Sequence, residues 1–202
     1  MKHLYLNLKR FDVPVEYGGV NRIAPVGGWG RYIVTQTQEA LKQYDPSEVE
    51  FVQYFPEAHI LGAVGALCEN SPVKLGCQGV YRMNTAVGGN FGAFTTLRPA
   101  SAAVALGCES VIIGHCEERN FYNDTFTEAG VSDPSATNRI LNQEILRATE
   151  GDLAPVACLA CDAEPCGRAE NCKTIALWRG YQELTDEYFD GVTLASLAGD
   201  GK

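Results

Sequence analysis

No apolar run in the 202-residue sequence approaches the roughly 18 residues of a bilayer span, so no membrane-spanning helix is expected. A signal-peptide h-region is also missing: Met1-Lys2-His3-Leu4-Tyr5-Leu6 goes straight into a strand-like alternation. Eight cysteines without an export signal point to free thiols in a reducing compartment, and the cytoplasm is the expected location. Positive charge is in deficit, with 16 Lys and Arg against 25 Asp and Glu and a net charge of −9. That balance disfavours nucleic acid or an anionic membrane as partner, although one local cation can still bind a small phosphate. Gly27, Gly28 and Gly30 surround Trp29, but they follow no strand and lack the Gly-Lys-Ser/Thr ending of a phosphate loop. Internal repeats and low-complexity segments are absent as well. At 46% hydrophobic and 20% charged, the chain has the composition of an ordinary globular protein, long enough for one sizeable core or two small ones.

Within that frame, strand and helix signals alternate. Strands are expected at His3–Lys9, Val49–Phe55, Val73–Val80, Ser110–Ile113 and Pro155–Ala160, with a weak one from Gly191 to Leu197. Helices are expected at Tyr32–Tyr44, Glu57–Cys68, Pro99–Leu106, Ser135–Thr149 and Thr174–Tyr188. Loops are expected over Phe11–Pro25, around Gly88, Gly89 and Gly92, and through Asp124 to Pro134. This βα repeat belongs to a parallel α/β protein, and the pattern alone allows an open doubly wound sheet or a barrel.

The stretch Val111 to Tyr122 concentrates the chemistry. Val111, Ile112 and Ile113 run into Gly114 as a buried parallel strand would, and His115 follows at its carboxyl end with Glu117, Glu118 and Arg119. A glycine there allows a tight turn, and a histidine can exchange protons near neutral pH. On the first strand Asn7 and Lys9 are two apart and share a face, placing an amide beside an ammonium, with Leu4, Leu6 and Leu8 opposite.

Several of these segments resemble one family. Asn7-Leu8-Lys9 is similar to the Asn-Trp-Lys that ends the first strand of triosephosphate isomerases, and Gln78 sits where that family has a glutamine. Gly92-Ala93-Phe94-Thr95 matches its Gly-Ala-Phe-Thr, Val111 to Glu117 resembles Val-Ile-Leu-Gly-His-Ser-Glu, and Val156-Ala157-Cys158 is similar to its fifth strand. The resemblance covers roughly residues 3 to 160. It implies a (β/α)8 barrel, incomplete here at about five to six βα units, with the site at the carboxyl ends of the strands. Residues 1–202 would form one barrel-like domain, with 161–202 a divergent or truncated region. It also implies a homodimer, a triose phosphate substrate, and neither metal nor organic cofactor. By the same resemblance Lys9 binds and stabilises the anionic substrate, and His115 is a neutral electrophile that polarises its carbonyl. Asn7 adds a hydrogen bond to the substrate, Glu117 pairs with Lys9, and Thr95 reaches across the dimer to steady Asn7 and Lys9 of the partner subunit.

The match then stops. The family's basic glutamate lies in a Glu-Pro-Val-Trp setting that does not occur here, and Glu164-Pro165 is followed by Cys166-Gly167-Arg168, so the role is not transferred to Glu164. A barrel of this class runs to about 250 residues, about 50 more than are present. Truncation or a lesion is the favoured expectation. The other is an internal deletion, because Asp190-Gly191-Val192 and Ala195-Ser196-Leu197 echo the family's last strand. Weak or absent turnover is expected either way. Cys116 and Glu118 replace a serine and an arginine, and an added carboxylate near His115 would favour imidazolium.

Three alternatives stay open. The chain could be a catalytically dead barrel serving as a dimerising or regulatory protein. The crowding of Cys158, Cys161, Cys166 and Cys172 could hold a metal or redox centre, although the spacing fits no standard motif. Cys116 beside His115 could be a thiol nucleophile with its base. His3 and His59 are expected to be ordinary surface or strand-end residues.

Overall fold

The computed structural model describes residues 1–85, 92, 94–131, 133–151, 153–159 and 166–192. Two compact units divide the chain: Met1–Gly79 with Ala102–Ile112, and Val80–Ser101 with Ile113–Lys202.

The first unit is built on a parallel sheet of β1 (Lys2–Asn7), β2 (Val49–Phe55), β3 (Val73–Cys77) and β4 (Ser110–Val111), in the spatial order β1-β2-β3-β4. Register runs Leu4↔Phe51 and Asn7↔Tyr54, then Phe51↔Val73, then Gly76↔Ser110. A doubly wound sheet reverses its strand order at a switch point, whereas a barrel adds each strand beside the last. The uninterrupted order therefore selects the barrel class, and the fold is that of an incomplete (β/α)8 barrel with four strands among the described residues. The expected face of Leu4, Leu6 and Leu8 is covered only at its end. Leu8 is buried, while Leu4 and Leu6 remain 55% and 49% exposed.

Helices α1 (Trp29–Leu41) and α2 (Glu57–Val64) cover the sheet. Trp29 is fully buried and stacks on Phe11 at 4.4 Å, meets Phe55 edge-on at 5.9 Å and lies 4.8 Å from the His59 ring. Each such aromatic pair adds about 0.5–1.5 kcal/mol beyond its area. His59 corrects its reading as a surface residue: it is buried, and loss of water lowers its proton affinity. His3 does lie at the strand edge, 2.7 Å from Glu50. Gln38 is buried with both ends of its amide used, donating to Ala66 O at 3.0 Å and accepting from Cys68 N at 3.0 Å. Helix α2 ends at Val64, short of Cys68, because Gly65 closes it.

Helix α3 (Ala100–Ala105) leads towards β4. In the second unit α4 spans Cys116–Glu128, where a loop was expected through Asp124. Then follow α5 (Ala136–Thr149) and α6 (Ile175–Gly191). Ser135 makes no side-chain cap to α5. Asp133 organises that turn, accepting from Ser135 N at 2.9 Å and from Arg139 at 2.6 Å. The α4–α5 contact is polar: Thr137 donates to Asn123 at 2.6 Å and the Tyr122 hydroxyl to Glu144 Oε1 at 2.7 Å. Asn142 joins α5 to the end of α6 through Phe189 O and Val192 O at 3.0 and 2.9 Å. The expected fifth strand is a correction. Ala157–Leu159 is a 3₁₀ turn in which Leu159 N bonds back to Val156 O at 2.9 Å, so the amide closes a local turn and not a ladder. The weak strand expected from Gly191 begins inside α6, and residues 193–197 lie outside the described part.

Gly30 is the tightest point between α1 and α2. A Cβ there would lie 2.3 Å from the His59 carbonyl oxygen. Helix propensity alone makes Gly30→Ala stabilising by about 1 kcal/mol, whereas overpacking costs about 1–3 kcal/mol. The backbone clash should win, so G30A is expected to lower the urea midpoint of unfolding. An unchanged or raised midpoint would contradict this packing.

Candidate active site

In the first unit the end of β1 is clasped from β3. Gln78 Nε2 donates to Asn7 Oδ1 at 2.8 Å, to the Leu8 carbonyl, and to Tyr54 O at 3.3 Å. With Oδ1 engaged, Asn7 turns its Nδ2 donors away from Gln78, an orientation assigned from the hydrogen-bond network. Lys9 follows two residues later and is exposed, just past the strand's carboxyl end. Asn7 closes β1 and Lys9 follows it, both at the carboxyl end of the strand.

In the second unit His115 is the N-cap of α4, with φ −56° and ψ 149°. Its Nδ1 accepts from Glu117 N at 3.3 Å, and its carbonyl accepts from Arg119 N at 3.0 Å to start the helix. An acceptor Nδ1 requires the tautomer with the proton on Nε2. The Glu117 carboxylate is 3.6 Å from Nδ1 and 72% exposed, too long for a hydrogen bond. Glu118, expected to push the ring towards imidazolium, instead turns its Oε2 to Gly114 N at 2.5 Å. Gly114 itself has φ +74°, a left-handed conformation that glycine adopts without steric cost. Cys116 Sγ lies 3.8 and 4.0 Å from Nδ1 and Nε2 of His115, at the long limit of a sulfur hydrogen bond, and Nδ1 also accepts from Glu117 N. Thr95 lies on an exposed turn after Phe94, whose ring meets Tyr81 at 5.4 Å. Asn7, Lys9 and Gln78 belong to the first unit, and Thr95, His115 and Glu117 to the second.

A sequence model of triosephosphate isomerase matches residues 30–181, about three quarters of the chain. The chain belongs to the triosephosphate isomerase family. The enzyme of Dictyoglomus turgidum is 24% identical over 164 residues, covering 80% of this chain and 57% of that protein. That of Chloroflexus aurantiacus is 27% identical over 143 residues, covering 69% and 50%. Triosephosphate isomerase from Bartonella henselae superposes with a TM-score of 0.46 at 18% identity, over 73% of this chain and 48% of that one. The chain spans about half the length of the curated relatives it matches.

A carboxyl group buried in the α4–α5 contact is a feature that sequence reading missed. Glu144 is 1% exposed on α5, and burial raises its pKa to about 7. Glu118 adds to the rise by charge repulsion, and Arg82 opposes it. The spacing of Thr137, Leu141 and Glu144 on one helical face was the available signal, because the first two are buried. Among the described residues no group of three or more His, Cys, Asp or Glu could hold a metal. Cys158, Cys166 and Cys172 are free thiols, and Cys161 lies outside the described part. No helix among the described residues is long and apolar enough to cross a membrane.

A carboxyl held above its ordinary 4.5 binds more protons in the folded state than in the unfolded one between there and about 7. Its contribution to stability is therefore complete below about 4.5 and is lost as pH rises through about 7. The difference should be on the order of 3 kcal/mol across that window. Chemical denaturation at a series of pH values should show E144Q without this decline, and more stable than the parent chain above pH 7 by a similar amount. Equal slopes in both proteins would contradict it.

Proposed function

We propose that this chain acts on triose phosphates, interconverting dihydroxyacetone phosphate and D-glyceraldehyde 3-phosphate. The reaction moves a proton from the carbon beside the carbonyl to its neighbour through an enediolate. It needs a base, a donor aimed at the developing oxyanion and a cation for the phosphate-bearing substrate. His115 is the donor: with Nδ1 engaged by Glu117 N, its Nε2–H is the group offered to the carbonyl oxygen. This family is itself the known example of such a neutral histidine at a helix N-terminus. Lys9 supplies the cation and Asn7, oriented by Gln78, a further donor. In this reading Glu117 fixes Lys9, Thr95 supports the site from a second copy in a homodimer, and residues 1–202 act as one domain in the cytoplasm.

The observation that carries the proposal is the His115 cap inside a segment matched to the family. One sequence observation favours a second reading: no Glu-Pro-Val-Trp segment occurs in these 202 residues, so the base has no assigned residue. A barrel without that base would be an inactive dimerising or regulatory protein.

A coupled isomerase assay separates the two. Weak turnover that falls at least about 100-fold in kcat/KM on Lys9→Ala supports the enzyme and the role of Lys9. Turnover retained in that variant would overturn the site assignment. A folded dimer without turnover would select the second reading.

A further inference from the structure

In the α4–α5 contact, Glu118 of α4 is close enough to Glu144 of α5 to raise its proton affinity by repulsion, and the Tyr122 phenol bonds to the same carboxyl. Glu118 Oε2 accepts from Gly114 N at 2.5 Å, and the Tyr122 hydroxyl donates to Glu144 Oε1 at 2.7 Å. Glu144 Oε2 is buried and has no hydrogen-bond partner, which as a carboxylate oxygen would be a costly orphan. Leu141, one turn earlier on α5, reaches within 3.5 Å of where a Gly114 Cβ would be, so the same helix face backs the Gly114 turn. Arg82 is the nearby cation acting on Glu144, and its guanidinium also donates to Gln143 at 3.2 Å. Arg119 comes within 3.9 Å of the Gly114 position.

We propose that Glu118 and Glu144 form a proton-sharing carboxyl pair that positions His115: Glu144 Oε2 carries the proton and donates to the Glu118 carboxylate, which in turn holds the Gly114 amide. Both groups are then satisfied. The orphan oxygen becomes a donor, and Glu118, as a single negative charge, accepts from a protein O–H and a backbone N–H. Gly114 is the residue immediately before the histidine, so its amide fixes the direction in which the ring enters the α4 cap. Loss of the Glu144 proton would leave two carboxylates facing each other in a poorly solvated place. Glu118 would swing away and release Gly114. Glu118 and Glu144 are positioning residues, since neither needs to touch a substrate. The catalytic consequence rests on the reading of His115 given above, whereas the coupling itself does not.

NMR of the substrate-free chain across about pH 5 to 9 tests the pair, following the Glu144 carboxyl carbon and the Gly114 and Glu117 amides. The Gly114 amide proton should move upfield with the same midpoint, near 7, as the Glu144 carboxyl. The Glu117 amide, which reports the histidine cap, should carry a component at that midpoint. In E144Q the carboxamide donates at every pH, so the Gly114 step and that component should vanish. In E118Q the Glu144 midpoint should drop towards 4.5. A Gly114 signal that stays flat through the Glu144 titration overturns the proposal, even if E144Q fails to fold. A Gly114 step that persists in E144Q also overturns it. No turnover is read, so failure of the isomerase reading leaves this result intact, and the reverse holds.

Discussion

A hydrogen bond from the Glu117 amide to Nδ1 of His115 decides what the second unit can offer chemically. It starts α4 where no Ser, Thr, Asp or Asn cap is present, and it assigns the ring's remaining proton to Nε2. One residue earlier Gly114 turns left-handed, and Glu118 reaches back to its amide. Structure and chemistry therefore share one contact: the side chain that caps the helix is the side chain proposed to polarise a carbonyl.

The two units solve their packing differently. In the first, a parallel sheet is sealed by Trp29, Phe55 and Ile60, with Gly30 letting the helices approach. Among the buried polar groups there, Gln38 is paired at both ends of its amide, whereas Gln53 Oε1 and His59 Nε2 have no hydrogen-bond partner. In the second, the α4–α5 contact runs through Thr137, Asn123, Tyr122 and Glu144. A carboxyl buried there works only while protonated or paired, so this contact responds to pH in a way that an apolar one would not.

Much of the barrel class was legible from the sequence, and the reasons differ by element. Val49 to Phe55 reads as a strand because β-branched and aromatic residues crowd it, and it is one. His115 could be singled out because it sits just past a strand-like run, and Asn7 and Gln78 because they match family positions near the ends of expected strands. Helix α4 was not legible: Cys116 to Glu128 has no apolar stripe, and its cap is a histidine. Val156-Ala157-Cys158 looks like a strand locally, but a strand exists only with a ladder partner, which local residues do not encode. Glu144 reads as an ordinary charged helix position until α4 is laid against it. The unassigned base is a different matter: no Glu-Pro-Val-Trp segment occurs in the sequence, and no packing argument assigns the role to another residue.

The central claim is that His115 caps α4 through Nδ1 and presents Nε2–H. Nitrogen-15 NMR of the His115 ring, at a pH above the range in which imidazoles protonate, reads this directly. Nε2 should show the protonated shift and a directly bound proton, with Nδ1 at the unprotonated position. A proton on Nδ1, with Nε2 bare, would break the cap and remove the donor on which the proposed chemistry stands.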